Sequence, residues 1–157
     1  MKIRKATRRD IPRLVELWWE LQVQYFSYDL PYYRNKSKAA CFRLCQKRLE
    51  KYFQDPNVIL LVAQQGSAVI GFVIGEVLPR SNYHRVETYG DVGPLGVAAG
   101  WRRQRIGTRL MQALEKEFRR RQVRLAQLYV DRRNHPALGF YRRRGFDERM
   151  VHLIKWL

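Results

Sequence analysis

Apolar residues recur along this chain with two different periods, and the switches between those periods predict its elements. Lys2 to Ala6 reads as a first strand. Thr7-Arg8-Arg9-Asp10 has the spacing of a helix-capping box, with Pro12 in the first turn, where a missing N–H costs nothing. Ile11, Leu14, Val15, Trp18, Leu21 and Tyr25 then form one helical stripe running to about Phe26. Ser27 to Lys36, with Pro31 and three tyrosines, reads as a loop. A second helix spans about Ser37 to Phe53 and stops at Asp55-Pro56.

Val58 to Ala63 is a continuous apolar run, the pattern of a strand covered on both faces. Gln65-Gly66-Ser67 turns the chain, and Ala68 to Val77 returns as a hairpin partner. After a polar loop from Pro79 to Arg85, Glu87 to Val97 forms a strand interrupted by Gly90, Gly93, Pro94 and Gly96. Such interruptions predict a bulge or a close approach of another molecule to the backbone. Ile106, Leu110, Leu114 and Phe118, with Met111 beside them, mark an amphipathic helix from Ile106 to Arg121. A strand over Leu125 to Val130, a short helix from about Pro136 to Arg144 and a last strand over Glu148 to Trp156 complete the order βααβββαβαβ. The strand–loop–helix–strand unit at 91–130 reads as a parallel crossover.

With 157 residues and 46% apolar positions, the chain is expected to be one domain, 1–157, with a sizeable core. It has no apolar run of the roughly 20 residues that would cross a bilayer, and no signal-peptide core near Met1. A cytoplasmic protein without a membrane partner is therefore expected. Cys41 and Cys45 share a helix face but sit in poor geometry for a disulfide, which fits a reducing compartment. No His, Cys or carboxylate set has metal-ligand spacing, so no metal is expected. His84, His135 and His152 are lone histidines, expected to be structural or to face solvent.

The charge is +17, with 31 Lys and Arg against 14 Asp and Glu, and 16 of the basic but only 5 of the acidic residues follow Gly100. Such a field favours anionic partners, a polyphosphate ligand or nucleic acid among them. Nucleic acid is disfavoured as the primary partner, because no zinc-finger spacing, RNP-type aromatic motif or basic zipper accompanies the charge. The charge concentrates usefully at Val97-Ala98-Ala99-Gly100-Trp101-Arg102-Arg103-Gln104-Arg105-Ile106-Gly107-Thr108, where a strand end runs through a basic loop into a helix. First-turn amides have no partner within a helix and carry the positive end of its dipole. That loop is therefore a candidate site for a phosphorylated ligand.

A second segment, Asn134-His135-Pro136-Ala137-Leu138-Gly139-Phe140-Tyr141-Arg142-Arg143-Arg144-Gly145-Phe146, lies downstream. Together the two segments resemble the GCN5-related N-acetyltransferase (GNAT) superfamily. That family's phosphate loop reads Gln/Arg-x-x-Gly-x-Gly/Ala and its later segment Asn-x-x-Ala-x-x-Phe-Tyr-x-x-x-Gly-Phe. Arg102 and Gly107 match the outer loop positions, whereas Arg105 stands where the family has its first glycine. The resemblance implies an α+β fold: a central mixed, mostly antiparallel twisted sheet of about six to seven strands, about four helices, and strands splayed at an acyl-coenzyme A site.

The resemblance also implies acetyl-CoA as acyl donor and transfer of acetyl to a primary amine by direct attack in a ternary complex. It places the pyrophosphate on the amides of Arg103, Gln104, Arg105, Ile106, Gly107 and Thr108, with Arg102 alongside and Asn134 near the cofactor. The pantetheine arm would follow the main chain around Leu95 and Val97, and an amide near Leu95 would polarise the thioester carbonyl. Tyr141 aligns with the tyrosine that protonates the departing thiolate. Asp91 falls where some members carry a glutamate base, with Glu87 as the alternative and Glu76 as a third. Each has a plain structural reading beside it: a core aromatic for Tyr141, a backbone partner for Asp91, a helix N-cap for Asn134. The acceptor, a small-molecule or peptide amine, stays open. Tyr25, Tyr28, Tyr32 and Tyr33 are candidates to line its pocket, and positive charge in the early segments disfavours a polycation. A homodimer through the last strand or the helices is left open, as is an acyl-CoA-binding protein without catalysis.

Overall fold

A computed structural model describes residues 1–28, 30–33, 36–80 and 85–155. Its one sheet has the order β1 (Lys2–Lys5), β2 (Val58–Gln65), β3 (Ala68–Pro79), β4 (Thr88–Val97) and β5 (Ala126–Leu128). Neighbours are antiparallel except β4 and β5, which run parallel. Among the described residues four helices of eight residues or more pack around it: α1 (Ile11–Tyr25), α2 (Lys38–Tyr52), α3 (Ile106–Arg120) and α4 (His135–Arg142). The mixed α+β class and the parallel crossover through α3 agree with the sequence pattern.

Local chemistry starts these helices where expected. The Thr7 N–H donates to Asp10 Oδ2 at 2.7 Å, and Arg4 clamps the same carboxylate from β1 at 2.7 and 2.8 Å. A 3-10 turn, Arg8–Asp10, therefore precedes α1. Ser37 Oγ accepts from the Ala40 N–H at 3.3 Å and opens α2. Cys41 and Cys45 remain free thiols on α2, and burial pushes the Cys45 thiol up to about 12.

The sheet divides the core in two. On one face Leu14, Leu17 and Trp18 of α1 and Leu49 of α2 pack on Leu60, Val62, Phe72 and Ile74. On the other, the α3 stripe of Ile106, Leu110, Met111, Leu114 and Phe118 packs on Ile59, Leu61, Val73 and Val92. Fully burying one such side chain contributes about 1.5–3 kcal/mol. Two interruptions of β4 serve this packing. A Cβ on Gly90 would lie 2.6 Å from the Phe118 ring, and one on Gly96 2.6 Å from the Phe72 ring. At these two positions the molecule approaching the backbone is the protein itself.

Several expectations need correction. The sheet has five strands among the described residues, short of six to seven, because residues 147–155 form no strand. β5 is three residues long, since only Gly90 to Val92 offers it a partner. The expected loop after α1 contains a helical turn, Leu30–Tyr33. Glu87 falls one residue outside β4. His84 and Trp156 lie outside the described residues. No described helix is long and apolar enough to cross a membrane.

Candidate active site

The site begins with a register fault. Gly75 pairs with Val92 and Val73 with Leu95, so two steps along β3 answer three along β4. Gly93-Pro94 absorbs the extra residue as a bulge, since proline cannot donate to a ladder. The parallel ladder to β5 stops at the same level, its last pair being Val92 and Leu128. Beyond it β4 continues to Val97 with no partner on that side among the described residues. The two strands thus part where Leu95 and Val97 stand.

The end of β4 leads into a 3-10 turn, Ala99–Trp101, and then the basic loop. Arg102 folds back, its Nε donating to the Val97 carbonyl at 3.1 Å. Arg103 and Arg105 adopt positive φ, 62° and 59°. The residue standing where the family has glycine therefore holds a conformation that glycine adopts freely. Helix α3 has no side-chain cap, and the Arg109 N–H bonds the Arg105 carbonyl at 3.1 Å. The N–H groups of Ile106, Gly107 and Thr108 precede that bond and have no carbonyl one turn back. Gly107 faces both neighbours of this turn: a Cβ there would meet Leu95 Cδ2 and the Phe140 ring, each at 3.8 Å. The splayed strand, the uncapped helix and α4 converge at this residue.

Helix α4 is set by Asn134, a buried residue whose side chain accepts from the Ala137 N–H at 3.2 Å. Its role as N-cap is thereby realised. Tyr141 lies near the end of α4, edge-on to Phe140 at 5.1 Å and to Phe146 at 5.8 Å. Burial, and secondarily the nearby Tyr25, push its hydroxyl up to about 12. Arg144 ties this end of α4 to α3, its Nη2 lying 2.6 Å from Glu115 Oε1, and its guanidinium lies over the Phe140 ring.

Asp91 and Glu76 are cross-strand partners, so their side chains share the sheet face covered by α1 and α2. Gln127 Nε2 of β5 donates to Asp91 Oδ1 at 3.3 Å. Burial, reinforced by the negative charges of Asp55 and Asp91, holds the Glu76 carboxyl above the usual range. Glu87 is exposed ahead of β4, and its carbonyl accepts from the Arg80 N–H at 2.7 Å.

The tyrosines flagged in the sequence do gather. Tyr25 stacks on Tyr33 at 5.3 Å, and the Tyr33 hydroxyl donates to Asp131 Oδ2 at 2.8 Å. Asp131 also accepts from the Arg133 N–H at 2.8 Å, and its carbonyl accepts from the Asn134 N–H. The segment after α1 is thereby joined to the loop that caps the Tyr141 helix. Sequence reasoning missed Asp131 and Gln127, since neither sits in a motif: the β4–β5 pairing brings Gln127 to Asp91, and the fold brings Asp131 to Tyr33, 98 positions away. Among the described residues no group of three or more His, Cys, Asp or Glu could hold a metal.

Comparison with known proteins identifies the family and the fold. The model of the acetyltransferase (GNAT) family matches residues 13–146, and the chain belongs to that family. It is similar to an uncharacterised N-acetyltransferase of Methanocaldococcus jannaschii, 29% identical over 150 residues, which covers 95% of this chain and 62% of that protein. The chain therefore spans less than two thirds of that relative's length. In fold it is similar to the BH1408 protein of Bacillus halodurans (TM-score 0.88, 19% identity, covering 100% of this chain and 99% of that one). It is also similar to a predicted acetyltransferase of Clostridium acetobutylicum solved with acetyl-CoA (TM-score 0.77, 14% identity, 98% and 94% covered).

Proposed function

We propose that this protein is an N-acetyltransferase that moves an acetyl group from acetyl-CoA to a primary amine by direct attack within a ternary complex. One observation carries the reading: the uncapped turn of α3, the open stretch of β4 and the Tyr141 helix meet at Gly107. Three N–H groups without intrahelical partners, flanked by exposed Arg102, Arg103 and Arg105, suit a diphosphate. Acetyl-CoA supplies an activated acyl thioester. The residues that would hold it are the amides of Arg103 to Thr108, the Arg102 side chain, the main chain of Leu95 and Val97, and Asn134 beside them.

The remaining chemistry falls to this chain's side chains. A primary alkylamine has a pKa near 10.4 and must lose a proton before it attacks. Asp91 takes that proton, directly or through water, and is favoured over Glu87 because it lies on the covered face against Gln127. The Leu95 N–H polarises the carbonyl. The neutral nitrogen then bonds the carbonyl carbon as the C–S bond breaks, and Tyr141 gives its proton to the departing sulfur. The second proton, shed by nitrogen as the amide forms, restores Tyr141, and the first passes from Asp91 to solvent. Burial that holds the Tyr141 proton also makes a thiolate formed beside it more basic, which matches the two groups. The acceptor is a small amine, a peptide N-terminus or a lysine side chain.

Titration calorimetry with acetyl-CoA, followed by thiol release against a panel of amines, tests the reading. Saturable binding and amine-dependent thiol release are expected. No binding at millimolar ligand would end it, and binding without release for any amine would leave an acyl-CoA-binding protein without catalysis.

A further inference from the structure

The outer face of α2 holds charge that the fold itself does not use. Phe42, Cys45, Leu49 and Tyr52 turn the apolar side of that helix into the core. On the opposite side Arg43, Lys47 and Lys51 recur every four residues, one above the other, and all three are exposed. Lys36, just ahead of the helix, continues the line, since Lys36, Ala40, Arg43, Leu44 and Lys47 border one surface groove. The helix carries five basic residues and one acidic, Glu50, which is half-buried and accepts from Gln46 Nε2 at 3.1 Å. Among the described residues no carboxylate pairs with Lys36, Arg43, Lys47 or Lys51. Helix α3 is built differently: its Arg119 and Arg120 are matched by Glu115 and Glu117.

We infer that this row of cations docks the phosphate backbone of a nucleic acid. The surface is separate from the basic loop before α3, because α2 and α3 cover opposite faces of the sheet. Side chains four apart stand about 6 Å apart along a helix axis. A straight row of cations therefore suits a partner whose charges also come in a row, as they do about every 3.4 Å along a nucleic-acid strand. No aromatic side chain stands in the row to stack on a base, so the contact reads phosphate and no sequence. An anionic bilayer fits less well. A helix lying in a membrane sinks its apolar face, and that face of α2 is already packed in the core. An acidic protein segment would need buried aromatic or arginine anchors, and Leu44, 55% exposed, is the one large apolar side chain in the row.

Fluorescence anisotropy of a short labelled DNA duplex of arbitrary sequence, titrated at several salt concentrations, tests the contact without acetyl-CoA or any amine. Binding that weakens steeply with salt is expected. The triple substitution Arg43→Gln, Lys47→Gln, Lys51→Gln should flatten the slope of log K against log salt by about 2.7, at about 0.9 per lost phosphate contact, and weaken binding roughly a hundredfold. Lys47→Gln alone should remove about a third of that slope. Glutamine is as good a helix former as the residues it replaces, so both variants should melt with the parent. Lys2→Gln, Arg8→Gln, Arg9→Gln removes the same net charge from another exposed stretch and should leave the slope nearly unchanged. No binding by the parent, or equal losses in the two triple variants, overturns the inference. So does a row whose removal releases the protein from phosphatidylserine vesicles but not from the duplex.

Discussion

Arg105 offers the sharpest test of how this loop is built. Its φ of 59° and ψ of 13° place an L-residue in the left-handed region, at the N-cap position just before α3. That conformation costs an ordinary residue about 1–2 kcal/mol and glycine nothing, while glycine returns about 0.5–1 kcal/mol as extra freedom in the unfolded chain. Arg105→Gly should therefore be more stable than Arg105→Ala by about 0.5–1 kcal/mol. The alanine variant is the proper reference, since it also loses the guanidinium but keeps the strained backbone. For a domain of this size that difference is roughly 1–4 °C in Tm, readable by calorimetry or far-UV circular dichroism. Acetyl-CoA affinity should fall in both variants alike, since both lose the same charge beside the N–H groups of α3. Equal Tm values for glycine and alanine would refute the strain argument. Unchanged affinity in both would remove the Arg105 side chain from the phosphate site.

Other outcomes follow from the same geometry. Tyr141→Phe should lower kcat by roughly a hundredfold, the lower range for a general acid, with little change in acetyl-CoA affinity; an unchanged kcat would exclude it as the proton donor. Asp10 is held at about 2, below its ordinary 3.8, first by the Arg4 guanidinium and then by Thr7. A lowered pKa stabilises the fold above the ordinary value and ceases to do so as pH falls through the folded one. The stability gap between the parent and Asp10→Asn should thus be full at neutral pH and close between about 4 and 2, as followed by urea unfolding across pH. A pH-independent gap would contradict the clamp. Gly90→Ala places a methyl 2.6 Å from the buried Phe118 ring and should cost about 1–3 kcal/mol. A neutral effect in denaturant unfolding would show that α3 can shift away from the sheet.

Much of this protein is written in local pattern. The α3 stripe of Ile106, Leu110, Leu114 and Phe118 needs only the helical repeat to be seen, and it forms one half of the core. Thr7 with Asp10, Ser37 and Asn134 fall at helix starts because caps act within three residues of the chain. Glycine and proline in β4 announced an irregular strand, and the bulge sits at Gly93-Pro94. The two motif segments pointed to the family for the same reason: each is a short turn-and-helix whose residues act together.

What tertiary structure alone decided depends on contacts between distant segments. Gly90 and Gly96 answer to Phe118 and Phe72, which no spacing along β4 reveals. The high pKa of Tyr141 arises first from its burial, beside Phe140 and Phe146, and second from the charge of Tyr25 on another helix. The family resemblance points to Asp91, but its bond to Gln127 exists only because β4 and β5 run parallel for three residues before parting. Glu148 to Trp156 reads as a strand in sequence, yet residues 147–155 form none among the described residues. A strand's alternation states that it can pair, whereas the partner is set by which edge the rest of the fold leaves open.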